Sequence, residues 1–545
     1  MLKHIWIILL IFALNLFVVR DYLAPGFPGT DDGLWAPVRL GSMYRELFRE
    51  HQFPVRWSGD LNYGYGYPLF HFSYPGLYYF AAIFVPFDFG LANIIKASFV
   101  FGVLLGAFGI YSLLVQITKS RILGFAGVLL YLAAPSLSTN LYLRGSVGEI
   151  FATGLLPWLL LLAYLTILHT RQLYLCALAL LLGYFITVHN TTALLSLPFL
   201  LLFGFVTAFA QVTHAKSPLF KLHLLFLHLR RFLLALFLGL MLAAFFWLPA
   251  IVEVQATKIS LNPLTYIQEW FVQPPKTLFY PFFSDAGPDN LDNYHLSLGI
   301  IHSFLLIFAF IAFRSWYQRY HFLTLLGIFL SVIFLMPQSL ILWLHLPLLK
   351  SIDFPWRLLA PLSVMLAVAL PLAYIGKYSR KFLLLLSLVA FFIATPWMQK
   401  KDSVFLSDSS YATNPATATA NNEYLYSTMP SAPQSAPALR YPQQLQSQIK
   451  PEVVNSTSKK YQIQLEFAQE VIFAYMYFPG WKAYLDDTNI PILFAQEGQL
   501  RVSLPAGTSM LEFKFQRTPI RIFAEGVSLA ALFALVLIAY RSLKR

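Results

Sequence analysis

The sequence predicts a polytopic α-helical membrane protein with a small β-rich domain set before its last helix. Three observations predict it. Charge-free runs recur along the chain at close to the ~20 residues that an apolar helix needs to cross a bilayer. Only 12% of the residues are charged against 58% hydrophobic, too few to coat a water-facing surface, so much of the chain must face lipid. Toward the C-terminus the apolar pattern changes to a period of two, the signature of half-buried strands.

Taken in order, the apolar runs are 5–19, 93–117, 122–141, 149–168, 172–188, 191–212, 232–252, 296–313, 322–336, 357–376, 382–397 and 522–540, about twelve helices. The first resembles a signal peptide, M-L-K-H followed by an apolar stretch. Arg20, Asp21 and Tyr22 stand where small residues would mark a cleavage site, so it reads as a retained helix.

The formal net charge of +13 would suit a nucleic-acid partner, but its placement argues otherwise. With Lys3 in the cytoplasm, alternate loops carry Lys119 and Arg121, Arg171, Lys216 to Arg231, Arg314 and Arg319, Lys377 to Lys381, and Arg541 to Arg545. The opposite loops carry Asp31, Asp32, Asp60, Asp88, Glu149, Glu253, Glu269, Asp285, Asp289, Asp292 and Asp353. That asymmetry satisfies the positive-inside rule with both termini cytoplasmic. One cysteine, Cys176, excludes a disulfide within the chain and a multi-thiolate metal site.

Three domains follow: 1–397, a transmembrane unit of eleven helices with a long first outer loop at 20–92; 398–520, an extracytoplasmic β-rich domain; and 521–545, the final helix and basic tail. Within 398–520, period-two stretches at 461–467, 471–478, 500–504 and 511–515 are separated by turn signals at Pro479-Gly480, Asp486-Asp487 and Pro505-Ala506-Gly507. Trp481 is expected in its apolar core. Ten basic residues balance ten acidic ones there, which disfavours nucleic acid.

The groups with chemical potential fall on the outer side. Gly29-Thr30-Asp31-Asp32-Gly33 opens the first outer loop. Pro37 then starts an expected helix with Arg39, Arg45, Glu46, Arg49 and Glu50, lying in the interface plane with its charges toward water. F-P-V-R-W (53–57) and a Tyr-, Gly- and Pro-rich stretch holding Tyr65 and His71 follow, rings that suit a membrane interface or a sugar face.

These segments resemble the GT-C glycosyltransferase superfamily of bacterial membrane proteins. Within it, the chain is most similar to the group called YfhO-like, or 6-pyruvoyl-tetrahydropterin-synthase-related, membrane proteins. The acidic pair, P-V-R-W, G-Y-G-Y-P-L-F, Y-L-R-G-S-V-G-E (142–149), D-F-P-W-R (353–357) and Y-F-P-G-W-K-A-Y-L-D-D (477–487) carry the resemblance. It implies a GT-C-like fold in the bacterial cytoplasmic membrane and a polyprenyl-phosphate-linked sugar as donor. Transfer to a glycan or lipid acceptor on the outer face follows, with an acid of the first outer loop as general base, here Asp31 or Asp32. The double-tryptophan motif of oligosaccharyltransferases is missing, which disfavours asparagine glycosylation.

Each group also has a plainer reading. Asp31 and Asp32 suit helix capping. Arg56 and Trp57 suit an interfacial anchor, or an arginine fork on the donor phosphate. Arg144 and Glu149 suit a local ion pair or a cavity lining. His189 suits a structural histidine at a helix end, and Asp353 with Arg357 a helix start or a near-membrane charge pair. No cofactor is required, though Asp31, Asp32 and Glu149 could converge on one divalent metal ion. The competing functions are a glycolipid transporter or flippase, disfavoured by apolar mid-spans and the lack of an internal repeat, and a non-catalytic glycan-assembly partner that would not need Asp31 or Asp32.

Overall fold

The computed structural model describes residues 2–212, 217–260, 271, 296–311, 318–346, 349, 352, 354–375, 377–419, 422–494 and 498–544. Among them, seven helices are long and apolar enough to cross a membrane, or nine if two bent pairs each count as one span. Shorter apolar helices, including Gln172–Val188 and Ile300–Phe310, fall where the remaining runs were expected.

Two spans depart from the sequence pattern for identifiable reasons. The run 122–141 is not one rod: helix Arg121–Leu132 stops and Pro135–Arg144 resumes at 46°. Pro135 has no amide proton, and Ala134 before it takes an extended conformation (ψ 127°), as a residue preceding proline must. The run 232–252 belongs to a longer helix, Pro218–Leu242, followed by a second, Ala244–Glu253, that ends on a buried carboxylate.

Small residues set a close helix contact between Leu91–Thr118 and Val147–Leu168. A Cβ on Gly154 would lie 2.1 Å from the Gly102 carbonyl oxygen, and one on Gly102 would lie 3.1 Å from the Phe151 Cα. Without a hydrophobic drive between helices in lipid, such close backbone packing is what holds them together.

The β-rich domain is two antiparallel sheets. The larger has the spatial order Ile449–Val454, Ser458–Leu465, Gly507–Phe515, Trp481–Leu485, Thr488–Ile490; the smaller runs Gln469–Met476, Gln499–Leu504, Leu493–Phe494. Tyr461, Ile463 and Leu465 alternate inward with Val471, Phe473, Leu500, Val502, Leu511 and Phe513, as the period of two requires. Asp486 and Asp487 both take positive φ (45° and 63°), closing the hairpin between Trp481–Leu485 and Thr488–Ile490.

This domain rests on the loop 20–92. Trp57, 1% exposed, meets Trp481 edge-on at 5.6 Å and Phe515 at 5.3 Å, while Met476 donates its amide to the Tyr65 carbonyl at 2.7 Å. Trp481 is buried as expected, but in a core that the domain shares with the loop. The helix expected to turn its charges toward water does so only in part. It spans Trp35–Tyr44, continues as a wider turn over Arg45–Arg49, and buries Arg39 and Glu46. The reason is the chain beyond residue 398: Arg39 donates to the Ala418 carbonyl, Arg45 to that of Ala412, and Glu46 accepts from Ser456 Oγ. The polar segment before the strands is therefore a cover over the first loop.

Candidate functional site

The two most suggestive motifs of the sequence lie against each other. Asp31 donates its amide to the Leu143 carbonyl (3.1 Å), and Asp32 donates to that of Arg144 (2.6 Å). Glycine makes this possible. Gly145 has φ +68°, and a Cβ there would lie 2.8 Å from Gly33 Cα and 2.2 Å from Thr30 Oγ1. The wide turn Asn140–Arg144 that precedes Gly145 is pinned from the other side, because Tyr22 Oη donates to the Leu141 carbonyl and Tyr142 Oη to that of Val18.

The side chains continue the contact. Arg144, 4% exposed, places Nη1 at 2.6 Å from Glu149 Oε2 and 2.9 Å from Asn140 Oδ1, and Nη2 at 3.4 Å from Asp32 Oδ2. Asn140 Nδ2 donates to the other oxygen of Glu149 at 2.8 Å. The Arg144 guanidinium lies 4.7 Å from the Trp356 ring centroid. The Asp32 side chain keeps 35% of its surface open, and Asp31 is exposed.

His189 and Arg357 complete the cluster. Glu149 lies within electrostatic reach of both, and His189 also within that of Asp32. His189 caps the helix Asn190–Gln211, its Nδ1 accepting the Thr192 amide, and burial pushes it down to about 3, so it is neutral at physiological pH. Arg357 lies over the Phe354 ring at 5.0 Å, and its buried Nε has no hydrogen-bond partner among the described residues. Asp353 lies outside the described residues.

Arg56, Trp57, Tyr65 and His71 go elsewhere. Arg56 pairs with Glu525 at 3.1 Å and donates to the Phe245 carbonyl. His71 Nε2 lies 2.8 Å from Glu253 Oε2, an oxygen shared with Arg521 at 2.8 Å. Burial pushes His71 down to about 4. These groups, with Trp57 and Tyr65, tie the first loop to helix Ala244–Glu253, the last helix and the β-rich domain.

Among the described residues, no three histidine, cysteine or acidic side chains are grouped to hold a metal ion. Of the three carboxylates the sequence offered for a divalent ion, Glu149 has one oxygen bonded to Arg144 and the other to Asn140. Sequence reasoning missed Asn140 and Trp356. Asn140 stands four residues before Arg144 on a helical turn, and Trp356 is inside D-F-P-W-R, so both signals were present.

A helical membrane protein with a buried charge cluster beside a half-open carboxylate, and a β-rich domain packed on its first loop, is the class that fold and site define. The family match is more particular: the 6-pyruvoyl-tetrahydropterin synthase related domain, described as a membrane protein, matches residues 72–402, and the chain belongs to that family. No curated protein matches its sequence. Among solved structures it is similar to the oligosaccharyltransferase of Archaeoglobus fulgidus in the apo form, with 14% identity, a TM-score of 0.41, and coverage of 74% of this chain and 56% of that one. It is also similar to ArnT from Cupriavidus metallidurans bound to undecaprenyl phosphate (16% identity, TM-score 0.39, 67% and 59% covered). A third is the arabinofuranosyltransferase AftD from Mycobacteria (15% identity, TM-score 0.39, 71% and 26% covered). The chain thus spans little more than half the length of the first two, and about a quarter of the third.

Proposed function

We propose that this protein is an inverting glycosyltransferase that moves a sugar from a polyprenyl-phosphate donor to a cell-envelope acceptor on the outer face of the cytoplasmic membrane. The observation that supports it best is the half-open Asp32 carboxylate, held by backbone and side chain over the buried Arg144–Glu149 pair. Asp32 takes the proton of the acceptor hydroxyl as that oxygen attacks the sugar's anomeric carbon. The bond from that carbon to the phosphate oxygen breaks, and its electron pair leaves with polyprenyl phosphate. Arg357, half-buried beside Glu149 and His189, is the residue assigned to hold the leaving phosphate, a planar fork being well matched to it. His189, neutral, serves as an uncharged wall beside it.

Both termini are cytoplasmic in this reading, and residues 398–520 lie outside, above the first loop they touch. The test uses the full chain in lipid vesicles with a panel of undecaprenyl-phosphate-linked sugars and an envelope extract as acceptor source. Asp32→Asn is expected to cut release of undecaprenyl phosphate by about 10²–10⁴-fold, as for loss of a placed general base. Turnover within a few-fold of the parent in Asp32→Asn, Asp31→Asn and the double variant would refute the enzyme reading.

A further inference from the structure

We propose that Arg144 is a positioning residue: Glu149, Asn140 and the Trp356 ring hold its guanidinium so that it aims the Asp32 carboxylate, and it does not itself contact substrate. The inference rests on the glycosyl-transfer reading and reassigns two residues that sequence alone would place among the substrate contacts.

A guanidinium has two terminal nitrogens in a fixed planar fork, so anchoring one fixes the direction of the other. Here Nη1 is anchored twice, by Glu149 Oε2 at 2.6 Å and Asn140 Oδ1 at 2.9 Å. Trp356 covers the flat face at 4.7 Å. The remaining nitrogen, Nη2, faces Asp32 Oδ2 at 3.4 Å. Glu149, 1% exposed, has its second oxygen bound by Asn140 Nδ2, which closes a ring of three side chains and leaves the carboxylate with no line to a substrate. Burying an ion pair is costly and adds little stability of its own, which makes a placement role the better account of it. The backbone bonds from Asp31 and Asp32 to Leu143 and Arg144 bring the same segment to the same loop, so carboxylate and guide are carried by one joint.

The test compares variants of the full chain in vesicles, using whichever donor of the panel the parent consumes. Arg144→Lys keeps the charge but loses the fork, and should lower kcat about 10–100-fold with the donor KM unchanged, the size expected of a misplaced reacting group. Arg144→Ala should fall further and recover in part when methylguanidinium is added. The pair Asp32→Asn and Arg144→Ala together should be no slower than Asp32→Asn alone, because both act through one carboxylate. If Arg144→Ala does not fold, Arg144→Lys combined with Asp32→Asn serves for the same comparison. A raised KM with kcat kept in Arg144→Lys, or multiplied losses in the double variant, would place Arg144 on the substrate and overturn the inference. Those results leave the glycosyl-transfer reading standing. An Asp32→Asn variant as active as the parent overturns that reading instead, so the two failures are told apart.

Discussion

At the residue scale, the two aspartates of one dipeptide have different surroundings. Asp32 is met by the Arg144 fork, whereas Asp31 is exposed. With Asp32 as the proposed base, Asp31→Asn is expected to cost less than tenfold in donor turnover where Asp32→Asn costs about 10²–10⁴-fold. Arg357 should behave differently from both. Its role is proposed at the phosphate in ground state and transition state alike, so Arg357→Ala should raise the donor KM with a smaller effect on kcat. Binding of undecaprenyl phosphate alone, measured by quenching of intrinsic tryptophan fluorescence, should weaken in parallel; unchanged binding would remove Arg357 from the donor site. The sequence named these residues but could not rank them. Nothing in G-T-D-D-G says which carboxylate meets a partner 112 residues away, because that choice is made by backbone bonds to Leu143 and Arg144. For Arg56 the same ignorance had a larger effect, since its partner Glu525 is 469 residues distant.

At the scale of elements, the spans were legible because lipid imposes one rule on every residue of a helix, and a run of apolar side chains records it directly. The break at Pro135 was not read, because the hydropathy runs straight through it, although proline's missing amide was there to signal it. The helix beginning at Trp35 was read correctly as a helix, but two of its charges, Arg39 and Glu46, are buried rather than turned to water. Its charged residues look solvent-bound until Ala412, Ala418 and Ser456 are brought to them from beyond residue 398. Helix contacts made by glycine carry a sharper test. Gly154→Ala puts a methyl 2.1 Å from the Gly102 carbonyl oxygen, and overpacking of this kind costs about 1–3 kcal/mol. Thermal melting in detergent should fall accordingly. Gly526→Ala in the last helix, where nothing lies within 4 Å of the new methyl, should melt no lower than the parent. Equal behaviour of the two variants would mean that Leu91–Thr118 and Val147–Leu168 are not held by that approach.

At the scale of the whole molecule, the long first loop and the β-rich domain share one interior, and its polar part is built around Glu46. That carboxyl is fully buried; Oε1 accepts from Ser456 Oγ at 2.7 Å and from the Gly59 amide at 2.9 Å. Burial, reinforced by Asp60 and Glu50, pushes Glu46 up to about 8. Asp60 is pushed up as well, burial outweighing its 2.7 Å pairing with Arg45. Lys459 faces the same junction, and burial pushes it down to about 8 against the pull of Glu46 and Glu50, with Arg440 adding to the fall. The signs then follow. An unfolded glutamate titrates near about 4.3, so between that pH and about 8 the folded chain holds a proton that the unfolded chain has released. The stability contributed by Glu46 is full below that window and is lost as pH rises through it. Lys459 works in the next window: its unfolded value is about 10.4, so from about 8 upward stability is regained with pH. The joint between loop and domain should be weakest near pH 8. Glu46→Gln keeps the shape and one acceptor without the charge, and should flatten the fall in melting temperature between pH 5 and 8, with Asp60 leaving a smaller slope behind. Limited proteolysis of 398–520 should follow the same curve, with cleavage of the parent rising toward pH 8 and cleavage of Glu46→Gln rising less. Parallel pH profiles for parent and variant would show that Glu46 stays ionised in the folded protein, and that its protonation does not govern the joint.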